Sequence, residues 1–372
     1  MKDYLDGAEA DLLKRGQSLL SKIPSRLPRE FHLLTQRCRD ALTKDLNTLL
    51  SLKSLPMADR LRKFKRVVAN IDFLEVNGVA ALNRFTEDDR YLNILIERIT
   101  QEINYPLLPP VVTSLSQGYF YIWPPLNLLC VPLGEADSLL HLPDLYHELA
   151  HPFDDERYEP RIQPYRRGLA HALRIVANAI ALELEQESGN RSPQSYRFYF
   201  QTWLRSWQES WLIEFFCDLF ATYTLGPAFA WSHLHLCAKR GGDPYAVPRY
   251  TVTTHPADDA RMTMILQGLH LAGFVTEANI IAHRWQEFVI LAGYPLQPEY
   301  RRCYNTQILG ELAEIAYESV DKMGCRIATS QTTDPIHSLL SEAWINFWQN
   351  PQTYSVWEAT AVSQLRHQFA TK

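Results

Sequence analysis

The motif His-Glu-Leu-Ala-His at residues 147–151 constrains this chain more than any other feature of its sequence. On a helix, residues four apart lie on one face, so the imidazoles of His147 and His151 can reach one metal ion. Neutral imidazole is a good zinc ligand, and a catalytic zinc site has three protein ligands with one position open for water. The fold must therefore bring a third ligand to this helix from elsewhere in the chain.

Glu148 follows the first histidine and can reach a water molecule in the open position. Zinc lowers the pKa of such a water toward about 7, and a carboxylate can take its proton while the water attacks a carbonyl carbon. We therefore interpret Glu148 as the general base of a metal-dependent hydrolase. Pro143 and Asp144 predict the start of the helix, and Pro152 limits its continuation. The alternative is an ordinary amphipathic helix that carries two surface histidines.

The third ligand is predicted on a later, strongly apolar segment. Glu214 and Asp218 are the only formally charged residues between Glu209 and Lys239, and they lie on one face of a helix rich in Trp, Phe, Leu and Cys. Burying an unpaired carboxylate costs several kcal/mol, so both acids need strong partners. We predict that Glu214 binds zinc and that Asp218 accepts a hydrogen bond from a ligand histidine. Alternatively, both carboxylates face solvent or pair with Arg205 or a more distant arginine.

HExxH followed by ExxxD on a second helix resembles the gluzincin group of metallopeptidases, the thermolysin-like clan. The resemblance covers residues 119–221, and its specific part is the two motifs. It implies a zincin-like core, Zn²⁺ as the cofactor and a peptide bond as the target. It also implies that Glu214 binds the ion and that Asp218 hydrogen-bonds a histidine ligand. Gluzincins place an edge strand before the HExxH helix, and segment 126–131 is similar in position.

The resemblance also implies a group that stabilises the oxyanion, which in gluzincins is a further His, Tyr or Arg. His255 precedes a proline at a predicted helix start, which favours an extended backbone and a free side chain. Arg261 follows one to two turns later, and both groups could donate hydrogen bonds to developing negative charge. Tyr119 and Tyr121 are further candidates for substrate contact. The alternative is a helix start with solvated charges, and tyrosines that pack within a strand.

Apolar periodicity and proline breaks predict a mainly α, multi-helical fold with a small β element before the HExxH helix. The aromatic segment 118–122 and segment 126–131 predict two short strands that could form a hairpin. We expect an N-terminal helical region (1–104), a zincin-like catalytic core (105–294) and a C-terminal helical region (295–372). Helices are predicted over 4–22, 27–54, 57–76, 256–272, 277–293, 305–323, 335–349 and 355–370, with one long helix from Tyr196 to Leu225.

Composition excludes several other classes of protein. Apolar residues make up 46% of the chain and aromatic residues 12%, far more than in a disordered chain. A net charge of -5 gives no general attraction to nucleic acid or to an anionic membrane. No apolar run approaches the ~18 residues of a membrane span, and the N-terminus lacks the apolar region of a signal peptide. Six scattered cysteines without a CxxC pair argue against a disulfide framework and a cysteine-based zinc site, and favour buried thiols in a cytoplasmic protein.

We therefore expect a cytoplasmic zinc metallopeptidase that acts on a peptide or protein. The helical flanks would limit access to the site or bind a dedicated partner protein. Two alternatives stay open: a catalytically silent, gluzincin-like interaction or sensor protein, and a zinc hydrolase of a non-peptide amide or ester. Glu148 favours an enzyme, because a structural zinc site needs no general base beside its ligands.

Overall fold

Helices make up most of the chain in a computed structural model that describes residues 2–116, 118–156, 158–188, 193–240 and 242–370. Within those residues, a three-stranded sheet is the only β element. The predicted mainly α fold with a small sheet element is therefore confirmed. None of the helices in the described part of the chain is both long and apolar enough to cross a membrane.

The α-helices are α1 (Lys2–Lys22), α2 (His32–Ser51), α3 (Met57–Phe73), α4 (Ala80–Asn83), α5 (Glu87–Glu102), α6 (Asp144–Glu148), α7 (Pro152–Asp155), α8 (Gln163–Ser188), α9 (Pro193–Ser206), α10 (Leu212–Leu225), α11 (Pro227–Arg240), α12 (Asp258–Leu271), α13 (Val275–Ala292), α14 (Tyr300–Cys303), α15 (Thr306–Lys322), α16 (Pro335–Gln349) and α17 (Tyr354–Ala370). The strands are β1 (Val111–Ser116), β2 (Tyr121–Trp123) and β3 (Leu128–Pro132). The predicted helices are present with ends shifted by a few residues, and α16 has the predicted bounds.

The chain forms two compact units. The first consists of Met1–Ile96 with Pro109–Ala136 and contains the N-terminal helices and the sheet. The second consists of Glu97–Leu108 with Asp137–Lys372 and contains both the HExxH and the ExxxD motif. Compactness alone does not define functional regions, so the predicted division at residues 104 and 294 stays a prediction.

The sheet of the first unit has the strand order β1-β3-β2, with β1 parallel and β2 antiparallel to β3. Strands β2 and β3 form the hairpin that the sequence suggests, and Asn127 in their connection has the left-handed φ of 49° that asparagine tolerates. The sequence did not predict β1, because it follows two prolines and ends in polar residues. Asn93 of α5 fixes this strand by hydrogen bonds to the N–H and C=O of Val112, at 2.9 and 2.7 Å.

Helix α10 lies at the centre of the second unit, where it packs against α6, α12 and α15. Every residue of α10 except Ile213 and Glu214 is buried, as expected of a helix that is apolar on all sides. A π-helical turn at Trp207–Trp211 joins it to α9, so the predicted long helix contains a local change of register. Gly226, with a φ of 79°, ends the helix where the sequence predicts its end.

Gly268 allows α12 to lie close to α10. A methyl group added at Gly268 would lie 3.0 Å from Leu219 Cδ2, 3.2 Å from Thr222 Cγ2 and 3.3 Å from Tyr223 Cε1. All three neighbours are fully buried residues of α10, so they have little room to move. The spacing of the two helices therefore depends on the absence of a side chain at position 268.

We expect Gly268→Ala to lower the free energy of unfolding by about 1–3 kcal/mol, because overpacking forces the two helices apart. The matched control is Gly310→Ala on α15, where the new methyl group would meet Gln267 at an ordinary 3.8 Å. That change should be neutral or stabilising by up to ~1 kcal/mol, since alanine favours a helix more than glycine does. Urea denaturation measures both, and equal stability of the two variants would contradict the tight contact.

Candidate metal centre

The HExxH motif spans the end of one helix and the start of another rather than a single continuous helix. His147 and Glu148 are the last residues of α6, and His151 immediately precedes α7. The backbone keeps right-handed helical dihedral angles at Leu149 and His151, so the two imidazoles stay on one side. Their ring centroids are 5.0 Å apart. The break changes the hydrogen bonding of the backbone and leaves the histidine pair together.

Neighbouring aromatic residues fix the position of the motif. The hydroxyl of Tyr105 donates a 2.7 Å hydrogen bond to the carbonyl oxygen of Leu149, inside the break between α6 and α7. The ring of Phe229, from α11, stacks on the His147 imidazole at a centroid distance of 6.2 Å. The first histidine therefore packs against α11, and Tyr105 holds the backbone that follows it.

The Glu214 carboxylate lies between the two imidazoles. Its Oε2 is 3.4 Å from His147 Nε2, and its Oε1 is 3.9 Å from His151 Nε2. The Glu214 side chain is only 12% exposed. Its Oε2 atom is buried and, among the described residues, no donor makes a hydrogen bond of ordinary geometry to it. A buried carboxylate oxygen without a donor is costly, and a metal ion would satisfy it.

Asp218 is fully buried and has donors on both carboxylate oxygens. His147 Nδ1 donates to Oδ1 at 2.8 Å, and Arg261 donates to Oδ1 and Oδ2 at 2.6 and 2.7 Å. Because a carboxylate only accepts, Nδ1 of His147 carries a proton, and Nε2 is directed to Glu214. The sequence left a histidine and a distant arginine open as partners of Asp218, and the structure has both.

The charges of this cluster balance without a metal. Burial would lower the pKa of His147, but the hydrogen bond to Asp218 and the interaction with the Glu214 carboxylate outweigh it and raise that pKa to about 10. Burial would raise the pKa of Glu214, but the interaction with protonated His147 lowers it to about 2. Protonated His147 and Arg261 therefore face two carboxylates. A divalent cation at Nε2 could replace the proton there.

Burial shifts the pKa of the second histidine and of the glutamate of the motif. Burial and the charge of His147 lower the pKa of His151 to about 4, so this imidazole is neutral and can bind a metal. Burial raises the pKa of Glu148 to about 7. Its Oε2 lies 3.9 Å from His151 Nε2. A carboxylate with this pKa can both accept and return a proton near neutral pH.

His255 lies at the exposed side of the cluster. Its Nε2 is 3.8 Å from Glu214 Oε2, and 63% of its side chain is exposed. Its Nδ1 lies 3.0 Å from the hydroxyl of Thr254, which is the neighbouring residue. The structure thus brings His255 beside the predicted zinc ligands with its ring open to solvent. Its predicted contact with an oxyanion stays a prediction.

The other predicted substrate contacts lie in different surroundings. Arg261 forms a bidentate ion pair with Asp218, and this contact holds the carboxylate in place. Tyr119 and Tyr121 belong to the first compact unit, where Tyr121 is in β2 and Tyr119 precedes it. For all three residues, contact with a substrate stays a prediction.

Cys217 is a potential ligand that the sequence analysis missed. Its Sγ and one ring nitrogen each of His147 and His151 lie within 4.8 Å of one another. Glu214 lies 3.4 Å from the first imidazole and 3.9 Å from the second, with a different oxygen for each. We take Glu214 as the third ligand, because its carboxylate is ionised before any metal binds. The signal for Cys217 was its position three residues after Glu214, on nearly the same side of α10.

Comparison of the chain with protein-family models, with curated proteins and with solved structures found no match. The site is therefore interpreted from its own residues. The likeness to gluzincins rests on the HExxH and ExxxD motifs and stays a resemblance.

The pKa of Glu148 leads to a pH-dependent stability in the metal-free protein. This carboxyl ionises near pH 7 in the folded chain and near its ordinary value of 4.5 in the unfolded chain. Because the folded chain binds this proton more tightly than the unfolded chain, protonation of Glu148 stabilises the fold at low pH. That stabilisation is lost as the pH rises through 7. Glutamine does not ionise, so the Glu148→Gln variant does not lose stability in this way as the pH rises. We expect the stability of Glu148→Gln relative to wild type to increase by about 2–3 kcal/mol between pH 5 and pH 8.

Urea denaturation in the presence of a chelator at the two pH values measures this change. The control is Glu185→Gln, which replaces an exposed glutamate on α8. The same offset for Glu148→Gln at pH 5 and pH 8 would contradict the burial of an ionisable carboxyl at this position.

Proposed function

We propose that the chain is a zinc-dependent hydrolase whose target is a peptide bond. The observation that carries the proposal is the position of the Glu214 carboxylate, within 4 Å of both imidazoles of the HExxH motif. Two imidazoles and one carboxylate form the ligand set of a catalytic zinc site with one open position. These residues are far apart in sequence, so their meeting is a property of the fold.

The donor set fits a zinc ion in three respects. The buried Oε2 of Glu214 has no hydrogen-bond donor of ordinary geometry among the described residues, which leaves it available to a cation. His147 is oriented through Nδ1 by Asp218, so its Nε2 is available too. The side chain of His151 is 22% exposed, so the site can be reached from solvent.

The proposed mechanism assigns a separate task to each residue. A zinc ion bound by His147, His151 and Glu214 would supply Lewis acidity, which polarises a carbonyl group and lowers the pKa of a water molecule. Glu148 takes the proton of the attacking water and returns it to the leaving nitrogen, which its pKa of about 7 allows. His255, on the exposed side, donates a hydrogen bond to the developing oxyanion.

We propose that the protein works in a reducing compartment such as the cytoplasm. All six cysteines are buried thiols without a disulfide, and this supports the assignment. A peptide or protein segment is the proposed substrate, on the resemblance of the two motifs to gluzincins. Binding of a dedicated partner by the helical flanks stays a prediction.

The metal content of three proteins tests the proposal. We expect wild type and Glu148→Gln to hold the same amount of zinc after loading and dialysis, and Glu214→Ala to hold one zinc fewer per chain. Only wild type should hydrolyse fluorescently labelled casein, because Glu148→Gln keeps the ligands and removes the base. Elemental analysis by mass spectrometry gives the zinc content.

The control for metal content is Glu209→Ala. Glu209 lies in the π-helical turn before α10, is half exposed, and pairs with Arg205, so its loss should leave zinc binding unchanged. Zinc content in Glu214→Ala equal to that of wild type would exclude Glu214 as a ligand. Hydrolysis of p-nitrophenyl acetate without cleavage of any peptide would contradict the peptide target.

Asp218 should affect the metal without touching it. We expect Asp218→Asn to weaken zinc binding about 10- to 100-fold, because the amide disrupts the hydrogen bond that orients His147 and the ion pair with Arg261. Competition with a chromophoric chelator measures the affinity. Asp321→Asn, at an exposed position at the end of α15, is the control and should leave it unchanged. Equal zinc affinities of wild type and Asp218→Asn would show that Asp218 does not influence metal binding.

A further inference from the structure

We propose that Cys217 is an additional ligand of the candidate metal centre, so that the resting ion is held by two imidazoles, a carboxylate and a thiolate. This inference rests on the proposed zinc site. It changes the nature of that site, because a fourth protein ligand occupies the position that a water molecule would need. Hydrolysis would then require Cys217 to leave the ion.

The distances support a ligand at this position. Bonds from zinc to nitrogen, oxygen and sulfur are about 2.0–2.3 Å long, so the donor atoms around one ion lie roughly 3–4 Å apart. The Cys217 Sγ and one ring nitrogen of each histidine are all within 4.8 Å of one another. Small rotations of these side chains would therefore be enough to bring the sulfur and both nitrogens to a common ion.

The backbone places Cys217 and Glu214 together. They are three residues apart on α10, and such residues lie on nearly the same side of a helix. Helix α10 packs against α6, which contains His147. The helix that supplies the carboxylate thus also supplies the thiol, and the thiol is completely buried.

A buried hydroxyl beside Cys217 is the second, independent observation. The Tyr165 side chain, 1% exposed, contacts Cys217. Apart from the Cys217 sulfur, its hydroxyl has no hydrogen-bond partner among the described residues. A neutral thiol is a weak acceptor, whereas a thiolate bound to a metal accepts readily. Ligation of Cys217 would therefore give the Tyr165 hydroxyl a stronger acceptor.

A second buried cysteine provides a matched comparison. Cys237 lies with His233 and Asp258 in the other group of potential ligand atoms within 4.8 Å in the described part of the chain. There, His233 Nε2 already contacts the carbonyl oxygen of Asp258 at 3.3 Å. Both cysteines are buried thiols near a histidine, but only Cys217 lies beside the HExxH motif.

Cobalt substitution distinguishes the two cysteines. A thiolate bound to Co²⁺ produces a charge-transfer band in the near ultraviolet, whereas imidazole and carboxylate ligands do not. We expect the full chain loaded with Co²⁺ to show this band. Cys217→Ser should lose the band while keeping the cobalt, and Cys237→Ser should keep both. Tyr165→Phe should shift the band, because it removes the hydrogen bond to the sulfur.

The outcomes separate this inference from the proposed function. The role of Cys217 is overturned if wild type binds one Co²⁺ without the band. It is also overturned if the band disappears in Cys237→Ser and persists in Cys217→Ser. Neither result contradicts the metal centre. Wild type that binds no Co²⁺ overturns the metal centre itself. Should Cys217→Ser fail to fold, Cys217→Ala and the Tyr165→Phe band position test the same ligand.

Discussion

The buried carboxylate of Asp218 determines how the centre of the second unit is assembled. It accepts hydrogen bonds from His147 on α6 and from Arg261 on α12, all between 2.6 and 2.8 Å. A fully buried carboxylate is tolerated only when its donors are fixed and well aligned. The ion pair therefore sets the distance of α6 and α12 from α10, and the close contact at Gly268 agrees with that spacing.

The two acids of α10 have the same chemistry and different surroundings, and this difference separates their roles. Asp218 has donors on both oxygens, so it is saturated and can only orient its partners. Glu214 has one buried oxygen without a donor of ordinary geometry in the described residues, and it faces the Nε2 atoms of His147 and His151. Asp218 can therefore only orient the residues that donate to it, whereas the Glu214 oxygen can bind a cation.

Much of this site follows from local sequence rules. The spacing of His147 and His151 places them on one side of a helical segment, and two acids alone on an apolar helix indicate that Glu214 and Asp218 need buried partners. The end of α10 at Gly226 follows from a local conformational preference as well.

Other features depend on the tertiary structure. Arg261 is 43 positions from Asp218, and no local pattern selects one arginine among many as the partner of a buried acid. Strand β1 lacks the alternating polarity that would predict a strand. It is stabilised by Asn93 of α5, a contact that cannot be predicted from the local sequence. The break between α6 and α7 and the approach of Cys217 to the imidazoles likewise arise from packing.

The central claim is that two imidazoles and a carboxylate from distant segments hold one ion. A crystal structure of the zinc-loaded protein, with anomalous data collected on both sides of the zinc absorption edge, tests it most directly. The account predicts an anomalous peak about 2.0–2.2 Å from His147 Nε2, His151 Nε2 and a Glu214 oxygen. The absence of a peak there, with Glu214 hydrogen-bonded to a protonated His147, would contradict it.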